Sequence, residues 1–138
     1  MTSRLRKRLP KEVETDPNGP MTIYTLEIPR WRPALLNELM RSVKAKIRMK
    51  KLDREMIWGS ALEQKIPKAG GKRRVSLHVT LGKGMREFDI DAPQKSLYDA
   101  MKHAGLIVDD SSKYVEMGTL TFSRNWQSWG TRITVEDL

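Results

Sequence analysis

The chain has 138 residues, 38% of them hydrophobic and 31% charged, which suits one polar globular domain. It contains no cysteine, so disulfides and thiolate metal sites are excluded, and His78 and His103 stand too far apart to suggest zinc. No run approaches the ~18 apolar residues of a membrane span, and the basic start lacks the apolar core of a secretory signal. The expectation is a cytoplasmic protein with no membrane partner and no small-molecule cofactor.

Lysine and arginine number 26 against 17 aspartates and glutamates, a net charge of +9 that attracts polyanions. The charge is concentrated. Arg41, Lys44, Lys46, Arg48, Lys50, Lys51 and Arg54 form one group, and Lys65, Lys68, Lys72, Arg73 and Arg74 another, followed by Lys83 and Arg86. From these, Arg41, Lys44, Arg48, Lys51, Lys72, Arg73, Arg74, Lys83 and Arg86 are the expected contacts to a DNA backbone. Most acids lie in the C-terminal half, and they require a separate account.

Residues 1–20 are basic, contain Pro10, Pro17, Gly19 and Pro20, and have no hydrophobic period, so they read as a flexible arm ahead of a domain over 21–138. Residues 22–28 alternate as a strand, ended by Pro29 and Pro33. From Ala34 the apolar residues Leu36, Leu39, Met40, Val43 and Ile47 recur at helical spacing. A second helix is expected over 52–64, with Met56, Trp58 and the other methionines filling the core. Pro67, Gly70 and Gly71 mark a turn. Residues 74–81 alternate again, with Val75, Leu77, Val79 and Leu81 on the core side and His78, given no role, on the other.

A helix over 93–104 buries Leu97, Ala100, Met101 and Ala104, and Gly105 stops it. Residues 106–108 have strand character. Residues 114–122 and 131–135 read as a closing hairpin whose loop carries Trp126 and Trp129. The order is β-α-α-β-α-β-β, an α+β domain with helices packed on a small mixed sheet.

The acids cluster on either side of the third helix. In an extended Phe88-Asp89-Ile90-Asp91, both carboxylates project to one side while Ile90 points inward. Twelve helical residues climb about 18 Å. Six extended residues, 105–110, return about 20 Å at ~3.3 Å each, which brings Asp110 back beside Asp91. Carboxylates so gathered repel one another unless a cation sits among them, and with oxygen ligands alone that cation is hard, Mg²⁺ or Mn²⁺. Such a site activates water against a phosphodiester, and Lys95, one turn from Asp91, is close enough to steady the phosphate. Three plainer roles stay open: Asp91 capping the helix, Asp91, Lys95 and Asp99 forming a surface ion-pair ladder, and Asp109 and Asp110 making a polar turn.

The stretch from Asp89 through Asp91, Lys95, Asp99 and Gly105 to Asp109 and Asp110 resembles the signature of RusA-type Holliday junction resolvases, in residues and in separations. Similarity extends over 21–135, though only this central motif is specific. The resemblance implies a RusA-like homodimeric endonuclease that resolves four-way junctions and similar branched DNA by paired nicks, in recombination and repair, with Mg²⁺ or Mn²⁺. It implies Asp89, Asp91 and Asp110 as metal-binding catalytic carboxylates, Asp109 as a supporting ligand and Lys95 as the catalytic lysine. The family's Asn and following apolar residue are Ala92 and Pro93 here. That places Pro93 at the first helical position and leaves Ala92 as a cap without a side-chain acceptor, a loss of about 1 kcal/mol. The alternative is a non-catalytic nucleic-acid-binding protein of the same fold with structural aspartates. A scaffold presenting Trp126 and Trp129 to a partner is a third reading.

Overall fold

The computed structural model describes residues 13–16 and 19–138. The elements are β1 (Val13–Asp16), β2 (Gly19–Pro29), α1 (Leu36–Leu39), α2 (Val43–Glu63), β3 (Arg73–Leu81), α3 (Gln94–Ala104), β4 (Val115–Arg124) and β5 (Gly130–Asp137). From β2 onward this is the order β-α-α-β-α-β-β of an α+β fold. The strand order is β1-β2-β5-β3-β4, a four-stranded mixed sheet with β1 added as a short edge beside the start of β2. Of the expected N-terminal arm, residues 1–12 and 17–18 lie outside the described residues, while Val13–Asp16 pairs antiparallel with Gly19 to Thr22. Among the described residues no helix is long and apolar enough to cross a membrane.

The alternation in β3 does what its period requires: Val75, Leu77, Val79 and Leu81 are buried and the residues between them are not. That apolar face meets α2 and α3 through Ile57, Ala61, Leu97, Ala100 and Met101. Among the described residues no helix packs on the other sheet face. Leu97, Ala100, Met101 and Ala104 of α3 are buried as their 3.6-residue spacing demands, and Gly105 ends the helix in the left-handed region at φ 80°.

Four local expectations are corrected. The helical segment after Ala34 breaks at 40–42, because the Ser42 hydroxyl accepts the Ala45 N–H at 3.0 Å and starts a new helix. α2 then runs uninterrupted to Glu63, through the point where a second helix was expected to begin. Its first turns overhang the core, leaving Val43 77% and Ile47 64% exposed rather than packed; Trp58 is 52% exposed rather than core filler. Residues 106–108 form bends, not a strand, although Leu106 and Ile107 are buried.

The closing hairpin does not form. β5 inserts between β2 and β3, antiparallel to both, and β4 pairs with β3 in parallel on the far side. Residues 125–129 therefore cross the end of β3, where the Asn125 N–H donates to the Leu81 carbonyl at 3.0 Å. A Cβ on Gly82 would stand 3.0 Å from the Trp129 ring, so glycine is what lets the crossing segment lie so close.

Asp53 of α2, 2% exposed, joins three elements. Its Oδ1 accepts the Trp31 Nε1–H at 3.0 Å; its Oδ2 accepts the Ala34 N–H at 2.8 Å and the Ser96 hydroxyl at 2.7 Å. Burial raises the Asp53 carboxyl above its usual range, against the opposing effect of those three donors. A raised folded-state pKa contributes stability that is complete below the unfolded value, near 3.8, and lost as pH rises through the folded one. Asp53→Ala leaves three buried donors unpaired and is expected to lower unfolding free energy by roughly 3 kcal/mol in urea titrations. The cost of Asp53→Asn, measured the same way, is expected to be larger at acid than at neutral pH. A cost that shrinks on acidification contradicts this assignment.

Candidate functional site

The loop after β3 is folded back on itself rather than extended. The Ala92 N–H donates to the Asp89 carbonyl at 3.0 Å, closing a turn across the very residues expected to be straight. Asp89 and Asp91 are both exposed, and Ile90 is half-buried. The loop is anchored on the far ends of β3 and β4: Phe88 meets Phe122 edge to face at 5.1 Å, and Arg124 Nη1 donates to the Met85 carbonyl at 3.0 Å. The Leu36 N–H of α1 donates to the Ala92 carbonyl at 2.9 Å. α3 starts one residue later than expected, with Pro93 as its cap residue and no side-chain cap.

Asp109 and Asp110 lie at the other end of the layer. After Gly105 the Leu106 N–H turns back to the Met101 carbonyl at 2.9 Å, and the buried Arg73 at the start of β3 donates to the Leu106 carbonyl at 2.9 Å. The chain is thus held at the beginning of β3 and β4, while Asp89 and Asp91 sit where those strands finish. α3, eleven residues and about 16 Å long, stands between the two acidic pairs. β4, not 105–110, makes the return journey. Among the described residues, no three acidic or histidine side chains are grouped as a metal site would require. The oxygens of Asp89, Asp91, Asp109 and Asp110 suit a hard divalent ion in kind, but one chain does not bring them together.

Individually the acids differ. Asp109 Oδ1 pairs with Lys102 at 2.9 Å, and this contact lowers its pKa. Asp99 accepts Arg54 Nε at 2.8 Å and stands 4.0 Å from Lys50; the Arg54 hydrogen bond lowers its pKa. That pairing replaces the expected ladder from Asp91 through Lys95, and Lys95 is exposed. Asp89, Asp91 and Asp110 make no ion pair among the described residues.

The basic residues divide in two. Lys44, Arg48 and Lys51 fall on one exposed stripe of α2, with Arg41 just before it, and Lys83 and Arg86 are exposed on the loop after β3. Lys72, Arg73 and Arg74 do not belong with them. Arg73 is 1% exposed: its guanidinium pairs with Asp137 at 2.7 Å, donates to the Pro67 and Leu106 carbonyls and lies over the Tyr24 ring. Arg74 bridges Glu116 at 2.7 Å and Glu136 at 3.2 Å, and Lys72 pairs with Glu116 at 3.4 Å. Arg73 is therefore a core residue, removed from the expected DNA contacts.

Sequence reasoning passed over His78. Its Nδ1 meets the Thr121 hydroxyl at 2.7 Å and its Nε2 the Ser123 hydroxyl at 3.0 Å, on the open sheet face. Both partners come from β4, 43 and 45 residues away, so no local signal marks the arrangement.

No protein-family model matches the chain, and no curated protein matches it. The likeness to RusA-type resolvases is specific in the motif from Asp89 to Asp110.

Arg73→Ala is expected to lower unfolding free energy by about 3 kcal/mol, because it strands the two carbonyls and Asp137. Arg48→Ala on the exposed stripe is expected to change it by no more than about 0.5 kcal/mol. Equal urea midpoints for the two variants would contradict the division between core and surface arginines.

Proposed function

We propose that the protein is a homodimeric endonuclease of the RusA type, hydrolysing phosphodiesters of four-way junctions and similar branched DNA with Mg²⁺ or Mn²⁺. The observation that carries the reading is the spaced set Asp89, Asp91, Lys95, Asp109 and Asp110, with Asp89, Asp91 and Asp110 exposed on the loops bracketing α3 and unpaired among the described residues. On a chain whose cations outnumber its acids 26 to 17, carboxylates without partners call for an account, and metal ligation is one. The mixed α+β fold and the free basic stripe of α2 agree with a DNA-binding enzyme. Phosphate contacts from Lys44, Arg48 and Lys51 would hold the backbone by shape and charge.

The separation of the two acidic pairs bears on the dimer. One chain holds its acids at opposite ends of α3, so a complete set of ligands at one place needs a second copy. A homodimer also supplies the two sites that paired nicks require. Lys95, exposed in the first turn of α3 near Asp91, is the residue positioned to meet a phosphate beside that loop.

The absence of an assembled acidic group among the described residues favours one other reading: a nucleic-acid-binding protein of the same fold that does not cut. The two are separated with synthetic four-way junctions. Wild type is expected to nick junctions in Mg²⁺ or Mn²⁺, while Asp91→Asn and Asp110→Asn bind them uncut. Binding by the wild type without cleavage in either metal leaves only the second reading.

A further inference from the structure

The segment that crosses the end of β3 carries two tryptophans for which the nuclease reading has no task. Trp126 is 72% exposed, and Lys83 Nζ stands 5.7 Å from the centre of its ring. Trp129 lies against Gly82, and its carbonyl accepts the Arg30 N–H at 2.9 Å. Arg30 has a φ of 54°, a left-handed conformation that costs a residue bearing a Cβ about 1 kcal/mol or more. This strained residue stands at the edge of a groove of about 480 Å³ that it shares with Arg32, Gly82, Lys83, Met85 and Trp129. Three cations line that groove and no carboxylate does. Arg32 is neutralised by Glu38 at 2.7 Å, whereas Arg30 and Lys83 have no acidic partner among the described residues.

An exposed indole beside unpaired cations is the combination that holds single-stranded nucleic acid, because a base stacks on the ring while phosphates meet the charges. An acidic peptide satisfies the cations but leaves the Trp126 face in water. We propose that the groove and the adjoining Trp126 face bind an unpaired nucleotide stretch, one base stacked on Trp126 and its phosphates held by Arg30 and Lys83. The loop that ends the groove continues into Asp89 and Asp91, so this assignment, which rests on the branched-DNA reading for its biological ligand, gives unpaired strand near a branch point a seat beside the acidic loop.

The test is titration of the full chain with single-stranded oligothymidylate in metal-free buffer containing chelator, read by tryptophan fluorescence and by anisotropy of labelled strand. Wild type is expected to bind with quenching. Trp126→Ala, at a position too exposed to support the core, is expected to lose most of the quenching and about tenfold in affinity. Arg30→Gly with Lys83→Ala is expected to reduce the slope of log affinity against log salt by about 1.4, the share of two phosphates on a single strand. Arg30→Gly also relieves the strained backbone, so its melting temperature should not fall; loss of binding with a preserved melting temperature separates ligand contact from folding. Unchanged quenching, affinity and salt slope in these variants overturn the proposal. Strand binding in this metal-free titration together with no junction cleavage in Mg²⁺ or Mn²⁺ sinks the nuclease reading alone, and cleavage in metal with unaltered strand binding in the variants sinks this one alone.

Discussion

Asp53 is where segments distant in the chain become one structure. A single carboxylate takes an indole N–H from the segment after β2, a backbone N–H three residues later and a hydroxyl from the first turn of α3. A buried carboxylate is costly unless its oxygens are filled, and here three donors occupy them. The consequence is geometric. Fixing Ser96 fixes the start of α3, and with it the turn that carries Asp89 and Asp91. Fixing Trp31 and Ala34 sets the path into α1, whose first N–H holds the same turn through the Ala92 carbonyl. The candidate site thus depends on a residue that contacts none of it directly.

The strand order has comparable consequences. Since β5 occupies the place between β2 and β3, the chain leaving β4 must cross the end of β3 to reach it. That crossing raises Trp126 and Trp129 against the loop after β3, and Gly82 is the residue whose missing Cβ permits it. Gly130 plays a similar part where β5 begins, since a Cβ there would fall 2.7 Å from the Ile28 carbonyl oxygen. Two glycines therefore decide how closely the crossing segment approaches its neighbours.

Legibility in the sequence followed the range of the interaction. The faces of β3 and α3 were readable because burial there repeats with the local period, as Val75 to Leu81 and Leu97 to Ala104 both do. The pairing of β4 and β5 was not readable. Two adjacent strands suggest a hairpin, and nothing within them states that β3 provides the partner of both. Arg73 misled for the same reason: its basic neighbours suggest a surface cluster, while its partner Asp137 lies 64 residues on. The break at Ser42 was present in the sequence as a capping residue, but the run of apolar residues on either side outweighed it.

The acidic motif shows what spacing alone leaves undetermined. Residues 105–110 are long enough to run back along α3, but length does not fix which way they run. Direction is set elsewhere. Gly105 in the left-handed region, the return of the Leu106 N–H to Met101, and Arg73 gripping the Leu106 carbonyl turn the chain across the end of the layer. Burial of Leu106 and Ile107 holds it there, because extending 105–110 toward Asp91 would draw both side chains out of the core. No small adjustment of the loop can therefore unite Asp91 with Asp110 in one chain. Within one chain the loops at the two ends of α3 are thus separate surfaces.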